Sequence, residues 1–308
     1  MPQVLTATNL VASPTPAIGY RFGVATNTSS FGSGKRENHD SSAYYDRKMS
    51  EPAAAEELGE PVDPPPDVID RMFCQSAESM EQLPNDCVSL MVTSPPYNVG
   101  KDYDDDLSLG EYIDLLKAVL TETYRVLEPG GRVAVNVANL GRKPYLPLNH
   151  IVGSLMRDVG LLLRGEVIWQ KAKAAGGSTA WGSWRSAKNP TLRDVHEYVL
   201  MASKGSFRRL RKGDDTIGKE DFISSTLSVW PIQPESAKRV GHPAPFPVEL
   251  PRRAIELYTF VGDLVLDPFM GAGTTALAAK ETGRHFVGYE TEQSYIDLAH
   301  ERLAEAGN

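Results

Sequence analysis

The tetrapeptide Ser94-Pro95-Pro96-Tyr97 directly follows a short apolar run, Val88-Ser89-Leu90-Met91-Val92-Thr93. Such a run, closed by a turn signal, reads as a buried strand whose ladder two consecutive prolines then stop. The prolines fix φ and hold the residue before each of them extended. Two hydrogen-bond acceptors, a hydroxyl and a backbone carbonyl, are thereby presented rigidly beside an aromatic ring. They stand at the carboxyl end of a strand, the edge at which open α/β sheets bind ligands. An isolated S-P-P-Y also serves as a plain turn with a packing tyrosine, so its meaning depends on what else reaches that edge.

A second constellation lies far along the chain. Leu264-Val265-Leu266-Asp267-Pro268-Phe269-Met270-Gly271-Ala272-Gly273-Thr274-Thr275 reads as a strand, a glycine turn and a helix start. Gly271 and Gly273 permit a tight turn and close approach of backbone to a ligand. The N–H groups that open the helix suit a carboxylate or phosphate. The third glycine of G-x-G-x-x-G is missing and Asp267-Pro268-Phe269 precedes the pair, which disfavours a nicotinamide oxidoreductase. Glu290 ends the next strand, where an acid can accept hydrogen bonds from ribose hydroxyls. Its position also allows it to cap the last helix.

The elements that must position these residues follow from periodicity. Strands are expected at 68–74 and 88–93, with a short helix at Ala77–Leu83 between them. Ser108 and Glu111 form a capping box for a helix whose stripe runs Tyr112, Leu115, Leu116, Val119, Leu120, Tyr124 and Leu127. Glu128-Pro129-Gly130-Gly131 is expected to end that helix before a buried strand, Arg132–Val137, completing a βαβ unit and a parallel sheet. A helix at Leu148–Val159 and strands at Leu161–Gln170 and His196–Ala202 follow. The C-terminal third alternates helix, strand, helix, strand, helix over Pro247–Tyr258, Asp263–Leu266, Thr274–Thr282, His285–Tyr289 and Glu292–Ala304. Residues 1–65, rich in Ser, Thr, Asn, Gly, Pro and Ala, read as a mobile low-complexity extension. Residues 66–308 read as one domain, with Lys204–Leu227 a basic, weakly structured insertion.

The 308 residues carry 41 % apolar and 23 % charged residues, an ordinary globular balance. The sequence shows neither an apolar run of membrane-spanning length nor a secretory signal, so the expected location is cytoplasmic. Cys74 and Cys87 have no metal-ligand spacing, and no metal is expected. The net charge is −8, yet the stretch from Arg164 to Arg239 holds 14 Lys/Arg against 8 Asp/Glu. A basic middle on an acidic chain is a weak sign of a surface that faces a polyanion.

Thr93-Ser94-Pro95-Pro96-Tyr97-Asn98, the Asp267–Thr275 segment and Val287-Gly288-Tyr289-Glu290 together resemble the S-adenosylmethionine-dependent DNA amino-methyltransferases. The S-P-P-Y motif precedes the glycine motif with a variable basic region between, an order that resembles the β group of that family. The resemblance covers about residues 66–305. It implies a Rossmann-like α/β fold: a mostly parallel seven-stranded sheet, an antiparallel hairpin at one edge (161–170 with 196–202), and helices on both faces. It implies S-adenosylmethionine as cofactor, held by Phe246, Asp267, Pro268, Phe269, Gly271, Gly273, Thr274 and Glu290. It implies catalysis by Ser94, Pro95, Pro96 and Tyr97 on double-stranded DNA, by a monomer or homodimer, with a cognate restriction endonuclease as a conceivable partner.

Methylating an exocyclic amine needs no covalent enzyme intermediate. The nitrogen attacks the sulfonium methyl once its lone pair is freed from the ring, and acceptors around the NH₂ favour that geometry. The resemblance assigns this to Ser94 Oγ and the Pro95 carbonyl, with Tyr97 stacking on a base flipped out of the duplex. Neither cysteine adjoins a motif, so cytosine-C5 chemistry is rejected. Serine at the first motif position points to cytosine N4 rather than adenine N6, and an inactive DNA-binding module is the alternative of another class. Gln75 stands where relatives often carry an acid, and it either substitutes by hydrogen bonding or leaves that cofactor contact out. Trp181, Trp184 and Arg185 either line the target cleft or anchor a loop. Arg208, Arg209, Arg211 and Lys212 are expected to touch phosphate within the 204–227 recognition region, whereas His196 and Glu197 are expected to be structural.

Overall fold

The computed structural model describes residues 59–97, 107–141, 144–171, 182–235 and 246–306. The expected N-terminal extension therefore lies outside the described residues up to residue 58, as does Trp181. Eight strands form one sheet: β1 (Arg71–Cys74), β2 (Val88–Thr93), β3 (Leu127–Val137), β4 (Leu161–Gln170), β5 (His196–Lys204), β6 (Val229–Pro231), β7 (Leu264–Asp267) and β8 (His285–Glu290). Their order is β1-β8-β7-β2-β3-β5-β4-β6. The five strands from β1 to β3 are parallel neighbours, and β5 runs antiparallel to both β3 and β4. Sequence reading expected seven strands. The eighth, β6, pairs parallel with the end of β4 and covers what would have been the edge of the hairpin. Only three residues long, β6 is held by Trp230, which is fully buried and donates its indole N–H to the Ser225 carbonyl.

Side chains alternate across the sheet with the period of 2 that a strand imposes. Met91, Val133, Val135, Val137, Leu264, Leu266, Val287 and Tyr289 face one core, roofed by α1 (Leu109–Val126) and α2 (Leu148–Asp158). Leu90, Val92, Ala134, Val199, Met201, Val265 and Phe286 face the other, against α4 (Glu249–Tyr258), α5 (Thr274–Glu281) and α6 (Gln293–Ala306). Helix α3 (Lys219–Ser225) lies within the basic insertion. The capping box of α1 is present: Glu111 N–H donates to Ser108 Oγ at 3.3 Å and Ser108 N–H to Glu111 Oε2 at 2.8 Å. Such a cap is worth about 1 kcal/mol.

Two local expectations are corrected. Ala77–Leu83 is a run of turns and not a helix, although Ala77, Met80 and Leu83 are buried as expected. Seven residues before Pro84 are too few to nucleate a stable helix. Their backbone groups are served instead by α1: Met80 N–H donates to Glu122, and Arg125 donates to the Met80 and Leu83 carbonyls. Glu128-Pro129-Gly130-Gly131 is likewise a bulge inside β3 and not a turn before it. Val88 pairs with Leu127 and Leu90 with Arg132, so two steps along β2 answer five along β3. Gly130 has φ +77°, and a Cβ there would lie 2.2 Å from the Arg208 carbonyl oxygen. The glycine lets residues 207–209 pass directly over the bulge.

Candidate active site

The parallel strands end along one edge of the sheet, and both sequence constellations meet there because β2 and β7 are neighbours. The joint is a buried clamp. Thr93 Oγ1 donates to Asp267 Oδ1 at 2.6 Å, Thr275 Oγ1 to Oδ2 at 2.6 Å, and Phe269 N–H to Oδ1 at 3.1 Å. Asp267 is 2 % exposed. Burial pushes its carboxyl up to about 6 despite these donors, with the nearby Glu290 charge adding to the rise. Both oxygens accept hydrogen bonds inside the protein, and the residue shapes the turn.

The turn itself is built for close approach. Gly271 and Gly273 have φ of 49° and 71°, the left-handed region that favours glycine. A Cβ on Gly273 would meet that of Ala299 in α6 at 2.7 Å. Thr274 opens α5 and is buried, its hydroxyl accepting from Arg302 at 3.2 Å. Glu290, at the end of β8, accepts from Gly271 N–H at 2.8 Å through Oε2 and from Glu292 N–H at 3.0 Å through Oε1. It thus links the turn to the start of α6, and its partly exposed carboxylate keeps lone pairs for a hydroxyl ligand. Pro268 is buried. Phe269 packs against the α1–α2 core and Phe246 against the α4–α6 core, so these two rings serve opposite faces of the sheet. Gln75, just past β1, exchanges hydrogen bonds with Gln82 at 3.1 and 3.3 Å, and Gln82 in turn accepts from Tyr289.

Beyond β2, Ser94 Oγ lies 3.3 Å from Tyr97 Oη. Pro95 is buried, and the Tyr97 ring packs against the α1–α2 core. Tyr97 donates to Glu197 Oε2 at 3.1 Å. Asn136 Nδ2 reaches Glu197 Oε2 at 2.6 Å and both Ser94 Oγ and Tyr97 Oη at 3.3 Å. Lys171 pairs with Glu197 Oε1. Burial and the Glu197 charge hold the Tyr97 phenol far above its ordinary range, so it stays protonated. Asn136 and Lys171 were missed as members of this site and Glu197 was expected to be structural, yet a signal existed. Asn136 interrupts the apolar run Val133-Ala134-Val135-Asn136-Val137, and a buried polar side chain is the informative exception in such a run. Register explains their meeting: Asn136 pairs with Val199 and Trp169 with Glu197, which sets Asn136, Glu197 and Lys171 on one face of three adjacent strands.

The residues expected to contact DNA separate into two groups. Trp184 (66 % exposed) and Arg185 stand in a tight loop between β4 and β5, closed by a bridge between Gly182 and Pro190, at the same sheet edge as Ser94. Arg208, Arg209, Arg211 and Lys212, expected to touch phosphate, follow the opposite end of β5. The Arg209 side chain, 8 % exposed, lies between Glu128 at 2.5 Å and Asp263 at 2.5 Å, with Ser89 Oγ at 2.9 Å. Arg211 pairs with Glu128 and Asp63. Arg208 and Lys212 are exposed on that same far edge. The Arg209 and Arg211 guanidinium groups serve the fold.

Comparison with known proteins places this geometry. The family model described as DNA methylase, of the N6/N4 type, matches residues 88–301. Type II methyltransferase M.BglII of Bacillus subtilis is 27 % identical over 239 residues, covering 72 % of this chain and 65 % of that enzyme, just under two thirds of its length. M.HpaI of Haemophilus parainfluenzae is 28 % identical over 244 residues, covering 76 % of this chain and 74 % of the other. Among solved structures, a protein of Thermus thermophilus described as a putative DNA modification methylase, crystallised with S-adenosyl-L-methionine, is 30 % identical. It superposes with a TM-score of 0.63 over 77 % of this chain and 93 % of that one. The cytosine-N4-specific PvuII DNA methyltransferase shares the fold at a TM-score of 0.59 and 23 % identity, covering 76 % of this chain and 90 % of that one. With the matched segment running from the strand before Ser94 into the last helix, the chain belongs to the N6/N4 DNA methylase family.

Proposed function

We propose that the protein transfers the methyl group of S-adenosylmethionine to the exocyclic N4 amine of a cytosine flipped out of duplex DNA. The observation that carries this reading is the Thr93–Asp267–Thr275 clamp, which locks the strand end bearing Ser94 beside the glycine turn. Donor and acceptor sites are thereby held at a fixed spacing, and proximity of this kind supplies much of a methyl transfer's rate.

The residues present fit the cofactor. The glycine turn admits a close ligand, and Glu290 offers lone pairs to ribose hydroxyls. When bound, S-adenosylmethionine supplies an electrophilic sulfonium methyl. Ser94 Oγ and the Pro95 carbonyl accept hydrogen bonds from the target amine and stabilise the positive charge that develops on its nitrogen. Tyr97 gives the base an aromatic surface worth roughly 1–3 kcal/mol, against an extrusion cost of a few kcal/mol. The loop carrying Trp184 and Arg185 meets the duplex, because it rises from the same edge. Ser94, rather than an acidic residue at that position, supports cytosine.

Nucleoside mass spectrometry of DNA incubated with labelled S-adenosylmethionine tests the reading. Label in N4-methylcytosine is the expected result. Label in N6-methyladenine would overturn the choice of base while leaving the amine chemistry, and no label across varied DNA would overturn the activity.

A further inference from the structure

Ser94, Tyr97, Asn136, Glu197 and Lys171 come from four separate stretches of chain and join in one hydrogen-bonded cluster. Asn136 and Glu197 are 2 % and 6 % exposed, an expensive place for polar groups unless each has partners. Donor and acceptor capacity fixes the directions of these bonds. The Glu197 carboxylate, paired with the Lys171 ammonium, only accepts. The Tyr97 hydroxyl proton is therefore committed to Glu197 Oε2, leaving Tyr97 Oη as an acceptor. Asn136 must turn its amide nitrogen to Glu197, because its carbonyl oxygen there would face a carboxylate oxygen at 2.6 Å. That orientation leaves Asn136 Oδ1 buried with no partner among the described residues, a cost the cluster accepts.

Among the described residues Ser94 then has one acceptor for its proton, Tyr97 Oη at 3.3 Å. Of its two lone pairs, at most one is taken by the second Asn136 N–H, which it shares with Tyr97. The other has no donor among the described residues. We infer that Glu197 is a positioning residue: acting through Tyr97 and Asn136, it fixes Ser94 as a hydrogen-bond acceptor toward the target amine. A free hydroxyl would spend part of its time with the proton turned to the amine, repelling the N–H it must accept. This inference rests on the methyl-transfer reading above. It adds to that reading a residue that touches neither substrate nor cofactor.

The test is single-turnover methylation by E197A, Y97F, the double variant and E197Q combined with K171M, each with cofactor affinity and thermal midpoint measured alongside. E197A and Y97F should each slow methyl transfer by about ten- to hundredfold, the worth of a hydrogen bond to a charged group. The double variant should be no slower than the slower single one, because both break one chain. E197Q combined with K171M should keep most of the rate, since without the ammonium the amide nitrogen can turn to that side while its oxygen still accepts from Tyr97 and Asn136, and cofactor affinity should not move. The inference is overturned by a wild-type rate in E197A, by losses that multiply in the double variant, or by the E197Q/K171M variant falling as far as E197A. Should E197A fail to fold, an unchanged rate in Y97F overturns it equally. Absence of methylation by the wild type strikes the preceding reading; an active wild type matched by E197A strikes only this one.

Discussion

Between Thr93 and Thr275, the Asp267 carboxyl holds three hydrogen bonds, yet burial still raises it from 3.8 to about 6. A carboxyl raised on folding binds more protons in the native state between those two values, so its contribution favours folding at low pH. That contribution declines as pH rises through about 6. The full swing is on the order of 3 kcal/mol. Asp267→Asn isolates it: Oδ1 can keep Thr93 and Phe269 while Nδ2 donates to the Thr275 hydroxyl. Urea unfolding should show the wild type losing stability relative to this variant as pH climbs from 4 to 7. A difference that stays flat would mean that Asp267 does not titrate in that range. This role was hidden from sequence reading. Asp267 was legible as part of a turn, but the turning-in of its carboxylate depends on Thr93, 174 positions away.

At the scale of elements, the basic insertion shows how charge in a sequence can mislead. Four cations within five residues look like a phosphate surface, yet Arg209 is packed among Glu128, Asp263 and the Phe260 ring. The β3 bulge and Gly130 exist to let this segment through. Removing one partner of a buried ion cluster leaves an unpaired charge, at about 3–5 kcal/mol. Arg209→Met should therefore lower the unfolding free energy by an amount of that order and the urea midpoint with it, whereas Arg208→Ala, at an exposed position, should barely move either. Denaturation curves of the two variants decide the matter. Helices and strands with strong periodicity, such as α1 with its capping box and β4 over Leu161–Gln170, were legible in advance. Ala77–Leu83 was not, because its apolar residues sit at helical spacing while its backbone is satisfied by Glu122 and Arg125 from another element. The strand β6 escaped because three residues carry no period.

For the whole molecule, the sheet edge at which the parallel strands end also carries the loop between β4 and β5. Leu192, 86 % exposed, and Trp184 stand there with Arg185 and Lys188, while the cations of the insertion lie at the other end of β5. Each phosphate contact contributes a slope of about −0.9 to the dependence of log affinity on log salt. Arg185→Ala and Lys188→Ala should each weaken DNA binding and flatten that slope by about 1, and Arg208→Ala and Lys212→Ala should leave it unchanged. Fluorescence anisotropy across a salt series measures both quantities. Effects confined to Arg208→Ala and Lys212→Ala would place the duplex across the far edge instead.

The edge formed by β4 and β6 has a bearing on self-association. A long bare strand is a template onto which another chain can be added. Here β4 is interrupted by an irregularity between Leu163 and Gly165, bears Arg164 and Glu166 facing outward, and is covered over its last three residues by β6, which ends in Pro231. Each of these features blocks continuation of the ladder. Excising 228–232 would uncover the apolar, hydrogen-bonding end of β4 and remove Trp230, turning a sealed margin into an adhesive one. The few residues of β6 thus close the ladder at the margin as well as forming a seam in the core.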